Sequence, residues 1–86
     1  MERREIIDGI VEILKTVRTV DQEKLANITD ETDFLTDLKT PSTELINIAA
    51  KAEQKFGVEF EDDDLDDLGS KVEDIVDLII RTKEKG

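Results

Sequence analysis

Residues 30–44 read DETDFLTDLKTPSTE and lead from a polar segment into a run whose apolar residues recur at helical spacing. Pro41 near the end of this stretch favours a helix start, because its fixed φ suits the first helical position and its missing N–H would have no partner there. We therefore predict that Thr40 caps a helix that begins at Pro41 and ends at Phe56. Ser42 then lies in the first turn.

The hydroxyl of Ser42 admits two interpretations. On helix rules alone, an ordinary first-turn residue is the better one, because serine is common at helix starts for structural reasons. A helix N-terminus also presents unpaired backbone N–H groups and a positive dipole end, which favour a phosphate. Helix rules therefore leave a modification site open without selecting it.

Two further long helices flank this segment. Apolar residues recur on one face over residues 3–18, and SKVE at 70–73 fits a capping box in which Ser70 caps the last helix. We expect Asp21 to cap a short helical piece, and the acidic segment before Gly69 to form one or two more turns. The residues expected to face the core are Ile6, Ile7, Ile10, Val11, Ile13, Leu14, Val17, Ile28, Phe34, Leu35, Leu38, Leu45, Ala49, Ala52, Phe56, Val58, Phe60, Leu65, Leu68, Val72, Ile75, Val76, Ile79 and Ile80.

These elements predict an all-α fold, a small four-helix bundle of three main helices and one short helix. A long first loop over residues 19–41 joins the first two main helices, and an ordered loop of that length is usually functional. A chain of 86 residues supports one compact core. We therefore expect a single domain over residues 1–86, with a frayed tail at 81–86.

The net charge of −11 limits the partners that the chain can bind. Negative charge opposes nucleic-acid phosphates and anionic membrane surfaces, whereas it favours encounter with basic protein surfaces. The chain contains no His and no Cys, so the usual general base and the thiolate nucleophile are missing, which argues against an enzyme. No apolar run is long enough to span a membrane. We expect a cytoplasmic monomer that binds neither nucleic acid nor membrane.

An acidic segment places seven carboxylates between Glu59 and Asp67. Its aspartates alternate over residues 62–66 and Glu73 falls at the twelfth position, as in a calcium loop. The sixth position, where the sharp turn of such a loop needs Gly, is Asp67. We therefore predict no metal site, and leave open a loose binding of divalent ions by crowded carboxylates. A solvated face or a docking surface for a basic partner is the favoured interpretation.

Taken along the chain, these features resemble the acyl carrier protein family, which includes the peptidyl and aryl carriers. DETDFLTDL at 30–38 is similar to its loop segment, and a serine at a helix start is followed fourteen residues later by Phe56. Val58 and Phe60 resemble the apolar pair that comes next in that family, and DDDLDDL its short third helix. The resemblance covers nearly the whole chain and is clearest over residues 30–79.

The resemblance implies that Ser42 bears a phosphopantetheine arm. In that family a phosphopantetheinyl transferase attaches the arm through a phosphodiester, using magnesium and coenzyme A, and the arm's thiol holds an acyl group as a thioester. Such a chain needs no catalytic residue of its own, because the reactive sulfur belongs to the cofactor. The implied partners are that transferase and the acyl-transferring or acyl-modifying enzymes of fatty acid, lipid or secondary-metabolite synthesis. The residues expected to meet these partners are Asp37, Thr43, Glu44, Ile46, Asp62, Asp63 and Asp64.

The chain departs from the family's usual Asp-Ser-Leu, since Pro41-Ser42-Thr43 stands in its place. Lys39 occupies the position of the family's Gly after Asp-Leu, and Asn47 stands where a Glu is common. We interpret the chain as a specialised or divergent carrier. The alternative is an unmodified acidic helical adaptor that binds a basic protein partner.

Small residues along the predicted second helix suggest one more hypothesis. Ala49, Ala50 and Ala52 keep side chains short, which would leave room among the helices for an acyl chain. Good helix propensity and close helix packing explain each alanine equally well, and we prefer that explanation.

Overall fold

A computed structural model describes residues 2–17 and 20–85 of the chain. Three long helices, one short helix and one 3-10 helix confirm the all-α prediction, and the only strand-like pairing in the described part is a single bridge between Asp33 and Lys71. No helix within those residues is long and apolar enough to cross a membrane. The helices are α1 (Arg3–Leu14), a 3-10 helix (Gln22–Asn27), α2 (Ser42–Phe56), α3 (Asp62–Asp66) and α4 (Val72–Lys85).

Helix α1 ends earlier than its apolar pattern predicts. The N–H groups of Thr16 and Val17 bond three residues back, both at 3.0 Å, so the last turn tightens instead of continuing as α-helix. The side-chain amide of Gln22 then donates to the carbonyls of Leu14 and Val17, each at 3.2 Å. These contacts satisfy carbonyls that a longer helix would have used. Residue 18, the predicted end, lies outside the described residues.

The core is aliphatic and draws residues from every long helix and from the first loop. Phe34 and Leu38 anchor that loop, as predicted, while Leu35 is 39% exposed and the prediction that it is an anchor is wrong. Leu35 follows Phe34 directly in a turn, where the two side chains diverge. The buried apolar residues are Ile6, Ile7, Ile10, Ile13, Leu14, Val17, Val20, Leu25, Ile28, Phe34, Leu38, Ile48, Ala49, Ala52, Val58, Phe60, Val72, Ile75, Val76, Leu78 and Ile79.

Helices α1 and α2 approach each other closely at Gly9. A Cβ atom built on this buried residue would lie 3.0 Å from Cε1 of Phe56 and closer still to Cζ. Phe56 is half-buried against the core, and Gly57 after it adopts the left-handed conformation (φ 67°) expected of a helix C-cap. The small residue on α1 therefore makes space for the aromatic ring at the end of α2.

The start of α4 differs from the predicted capping box. Ser70 does not cap the helix: α4 begins at Val72, and within the described residues no backbone N–H donates to the Ser70 hydroxyl, which itself donates to the Asp33 carboxylate at 2.8 Å. Backbone carbonyls of the first loop take its place: Val72 N–H donates to Thr32 O at 2.8 Å, and Glu73 N–H to Asp30 O at 3.0 Å. The first loop thus closes over the N-terminus of α4 and satisfies donors that the helix itself leaves unpaired.

The far end of α4 extends further than the pattern predicts. The helix continues through Lys85, so residues 81–85, expected as a frayed tail, are helical. Thr82 donates its hydroxyl to Leu78 O at 2.8 Å, and Lys83 and Lys85 place positive charge at the helix C-terminus, where it is favourable.

Candidate functional site

Ser42 is the first residue of α2 and is exposed. The residue that flanks the helix is Pro41, whose extended conformation (φ −60°, ψ 145°) makes it the N-cap, so the prediction that Thr40 caps the helix is wrong. Thr40 is instead 2% exposed, and its Oγ1 has no hydrogen-bond partner among the described residues. The shift follows from Pro41 itself, whose ψ of 145° is extended and not helical, so the first helical residue is Ser42.

The N-terminus of α2 carries no side-chain cap. Glu44 N–H reaches back to Pro41 O at 2.9 Å, whereas the N–H groups of Ser42 and Thr43 come before the first intrahelical donor position. Unpaired N–H groups and the positive end of a fifteen-residue helix therefore surround the Ser42 hydroxyl. This environment suits a phosphodiester on Ser42, because its negative oxygens find donors nearby.

The backbone that leads into Ser42 is held by one hydrogen bond within the first loop and by a second from that loop to Ser70. Thr40 N–H donates to Phe34 O at 2.8 Å, and Phe34 N–H donates to Ser70 O at 2.7 Å. Between them Lys39 adopts a left-handed conformation with φ 55°, which glycine accepts without cost and other residues avoid. The family that the sequence resembles has a glycine at this position, and the left-handed backbone explains why glycine suits it.

The Asp33 carboxylate organises this turn. One oxygen accepts from the N–H groups of Leu35 and Thr36, at 2.8 and 3.1 Å, and the other accepts from the Ser70 hydroxyl. These hydrogen bonds, that from Thr36 foremost and then that from Ser70, lower the pKa of Asp33 below its ordinary value. Sequence reasoning missed this residue, although Asp is a common turn residue because its side chain can accept from the backbone N–H two residues on.

The residues predicted to meet partners form two groups. Thr43 and Ile46 lie beside Ser42 on α2 and are exposed, Ile46 to 51%. Glu44 is half-buried, and Asn47 donates to its carboxylate at 3.5 Å. Asp37 is exposed, but its carboxylate accepts from Asp33 N–H at 2.8 Å, so it also has a structural role.

The second group lies on α3. Asp62 and Asp63 are exposed, while Asp64 is half-buried and accepts from Glu61 N–H at 3.2 Å in a capping box. Acidic residues in the first turn of a helix are favourable, which explains part of this acidic run without any ligand. Within the described residues, no three His, Cys, Asp or Glu side chains are arranged to hold a metal ion.

The described residues contain few ion pairs for so charged a chain. Arg3 joins Asp30 and Asp77, which ties α1 to the first loop and to α4, and Arg4 pairs with Asp8 along α1. Both carboxylates raise the pKa of Arg3, Asp77 the more strongly. The bridge from Arg3 is not visible in the sequence pattern, because its partners lie 27 and 74 residues away.

The two alanines that face the core do not border an opening. Ala49 and Ala52 are fully buried, and neither lines any of the four grooves described by the residues around Val58, Leu68, Asn27 and Ile13. Close packing accounts for both, as preferred at the sequence level. Lys51 adds to this helix packing, since its ammonium donates to the Thr16 hydroxyl at 3.2 Å.

Comparison with known proteins matches the chain to one family. The family described as "Phosphopantetheine attachment site" matches residues 9–79, which includes α2, the loop before it and most of α4. The acyl carrier protein of Coprothermobacter proteolyticus is 40% identical over 79 residues, which are 92% of this chain and 92% of that protein.

Two other relatives extend this result. The acyl carrier protein of Thermobifida fusca is 40% identical over 76 residues, covering 88% of this chain and 91% of its own length. The meromycolate extension acyl carrier protein of Mycobacterium tuberculosis is 36% identical over 83 residues, covering 96% of this chain and 69% of that protein.

Proposed function

This chain belongs to the acyl carrier protein family, and on that premise we propose that Ser42 is the residue to which its phosphopantetheine is attached. The proposal is carried by one observation: Ser42 is an exposed serine at the first position of a long helix that has no side-chain cap. The protein is a carrier of acyl groups and not an enzyme. The comparisons lend no support to the alternative of an unmodified adaptor.

The local chemistry suits a phosphodiester on the Ser42 hydroxyl. The N–H groups at the start of α2 would donate to the phosphate oxygens, and the helix dipole favours their charge. When bound, the cofactor supplies the thiol that holds the acyl group, which this cysteine-free chain lacks. The chain's own contribution is to hold the attachment point on a rigid helix end and to keep it exposed.

The partners of an acyl carrier protein are enzymes that handle acyl groups. We place a phosphopantetheinyl transferase among them and propose that Asp37, Thr43, Glu44 and Ile46 form the contact nearest Ser42. Support comes from the exposure of Thr43 and Ile46, the latter about 6 Å along the helix from Ser42. Both side chains are therefore accessible to an enzyme that approaches Ser42.

The acidic residues of α3 would form a second contact. Asp62 and Asp63 are exposed, and in a chain of net charge −11 they attract basic partner surfaces at long range. Asp64 belongs to the same run, but its capping role limits how far it can turn outward. The Pro41 and Thr43 neighbours of Ser42 differ from the family's usual Asp and Leu, which favours a specialised set of partners.

The deciding experiment is intact mass spectrometry after co-expression with several phosphopantetheinyl transferases. We expect one arm per chain on the wild-type protein and none on Ser42→Ala, while Thr82→Ala, which removes a hydroxyl from α4 outside both proposed contacts, still accepts the arm. Modification of Ser42→Ala at another residue would refute the assignment of the site. A wild-type chain that no transferase modifies would refute the proposed attachment altogether.

A further inference from the structure

Asp33 lies nine residues before Ser42 and has contacts that the proposed function does not require. Its carboxylate accepts from the Ser70 hydroxyl at the start of α4 and from two N–H groups of its own turn. Its backbone N–H donates to the Asp37 carboxylate at 2.8 Å. The single side chain therefore joins the first loop to the N-terminus of α4 and closes the loop turn on itself.

The adjacent residue transmits this connection toward Ser42. Phe34 is buried, its N–H donates to Ser70 O at 2.7 Å, and its carbonyl accepts from Thr40 N–H at 2.8 Å. From Thr40 only one residue, Pro41, separates the chain from Ser42, and the pyrrolidine ring fixes the φ of that residue. Little backbone freedom therefore remains between the hydrogen bonds of Phe34 and the first residue of α2.

We propose that Asp33 is a positioning residue for the modification of Ser42, acting through Phe34 and Thr40 to hold the start of α2 where a transferase can engage it. This inference rests on the proposed attachment at Ser42. Asp33 touches neither Ser42 nor an incoming cofactor. Its effect is to increase the fraction of molecules in which the Ser42 hydroxyl stands in the competent place.

A kinetic comparison tests the proposal on the full-length chain. The probe is coenzyme A with one phosphopantetheinyl transferase that modifies the wild-type chain, and the readouts are kcat and the KM for the carrier. If Asp33→Ala leaves roughly one molecule in five competent, the KM rises about fivefold while kcat changes little. Asp33→Asn restores the wild-type KM, because its amide oxygen still accepts from Leu35 and Thr36.

Arg3→Ala is the matched control. Arg3 also ties the first loop to α4, through Asp30 and Asp77, but its contacts lie off the path from Asp33 to Thr40. The kinetic measurements are made at a temperature at which circular dichroism shows every variant to be folded. Under those conditions we expect Arg3→Ala to leave the KM unchanged, since a general loss of stability does not alter the position of Ser42 in folded molecules.

The outcomes separate the two proposals. A raised KM in Asp33→Ala with wild-type values in Asp33→Asn and Arg3→Ala supports the positioning role. Equal KM values for Asp33→Ala and the wild type, or an equal rise in Arg3→Ala, overturn it and leave the attachment at Ser42 intact. A wild-type chain that accepts no arm from any transferase overturns the proposed attachment, and the positioning role with it.

Discussion

Replacing Thr40 with valine should stabilise the protein, although the residue lies two positions from the proposed attachment site. Thr40 is 2% exposed and its Oγ1 finds no hydrogen-bond partner among the described residues. A buried hydroxyl without a partner costs roughly 1–3 kcal/mol of desolvation. Valine has nearly the same shape and the same restricted χ1, so the change removes the polar atom without opening a cavity.

The expected gain is about 1–2 kcal/mol in the free energy of unfolding. In a domain of this size, each kcal/mol raises Tm by roughly 4–8 °C. Urea unfolding followed by far-ultraviolet circular dichroism measures it, because the chain has no Trp or Tyr for fluorescence. Thr43→Val makes the same change at an exposed position in the first turn of α2 and serves as the control. It should change the free energy of unfolding by less than about 0.5 kcal/mol.

A loss of stability in Thr40→Val would refute this reasoning. It would mean that the hydroxyl has a partner in solution, such as a buried water bonded to neighbouring backbone groups. The rate of arm attachment supplies a second check. Because Thr40 Oγ1 is buried, the valine variant should be modified at the wild-type rate, and the backbone N–H that bonds Phe34 O is unchanged.

Three further predictions test the packing and the electrostatics. Lys39→Gly should be more stable to urea than Lys39→Ala by about 1 kcal/mol, because only glycine accepts the left-handed conformation without cost, and equal stability would contradict the assigned backbone. Gly9→Ala should lower Tm by crowding the Phe56 ring, with an overpacking cost of roughly 1–3 kcal/mol. In a Phe56→Leu background the ring is gone, so adding Gly9→Ala should raise Tm above that of Phe56→Leu alone, because alanine favours the helix. The depressed pKa of Asp33 contributes stability that is complete above its ordinary value of 3.8 and is lost as the pH falls through its folded value, so acid titrations of unfolding should show a smaller stability loss below about pH 4 in Asp33→Asn.

The sequence predicts those parts of the fold that depend on periodic apolar residues. The long helices follow from repeating aliphatic positions, and the cap at Gly57 follows from its chemistry. The 3-10 helix capped by Asp21, with Glu23 N–H bonded to the Asp21 carboxylate at 3.2 Å, also agrees with a local signal. Each of these features depends on neighbours within a few residues.

Features that depend on distant partners could not be predicted in this way. Ser70 fits a capping box locally, but the N–H groups of Val72 and Glu73 bond to the carbonyls of Thr32 and Asp30, about 40 residues earlier in the chain. Thr40 fits an N-cap by residue type, but Pro41 stays in extended backbone, so Pro41 flanks the helix and Thr40 lies buried in the loop. For the candidate site, the choice of Ser42 follows from the resemblance to the family, whereas the hydrogen bonds that hold the loop before it appear only in the structure.

The hydrogen bonds between the first loop and the start of α4 also have a consequence for synthesis of the chain. Phe34 N–H pairs with Ser70 O, and the carbonyls of Asp30 and Thr32 pair with residues 72–73. Residues 70–73 are synthesised after residues 30–56. The growing chain therefore contains the α2 segment before it contains the backbone groups that bond to the first loop. A chain that terminates before residue 70 would therefore contain Ser42 and α2 but would lack every one of these hydrogen bonds to the first loop.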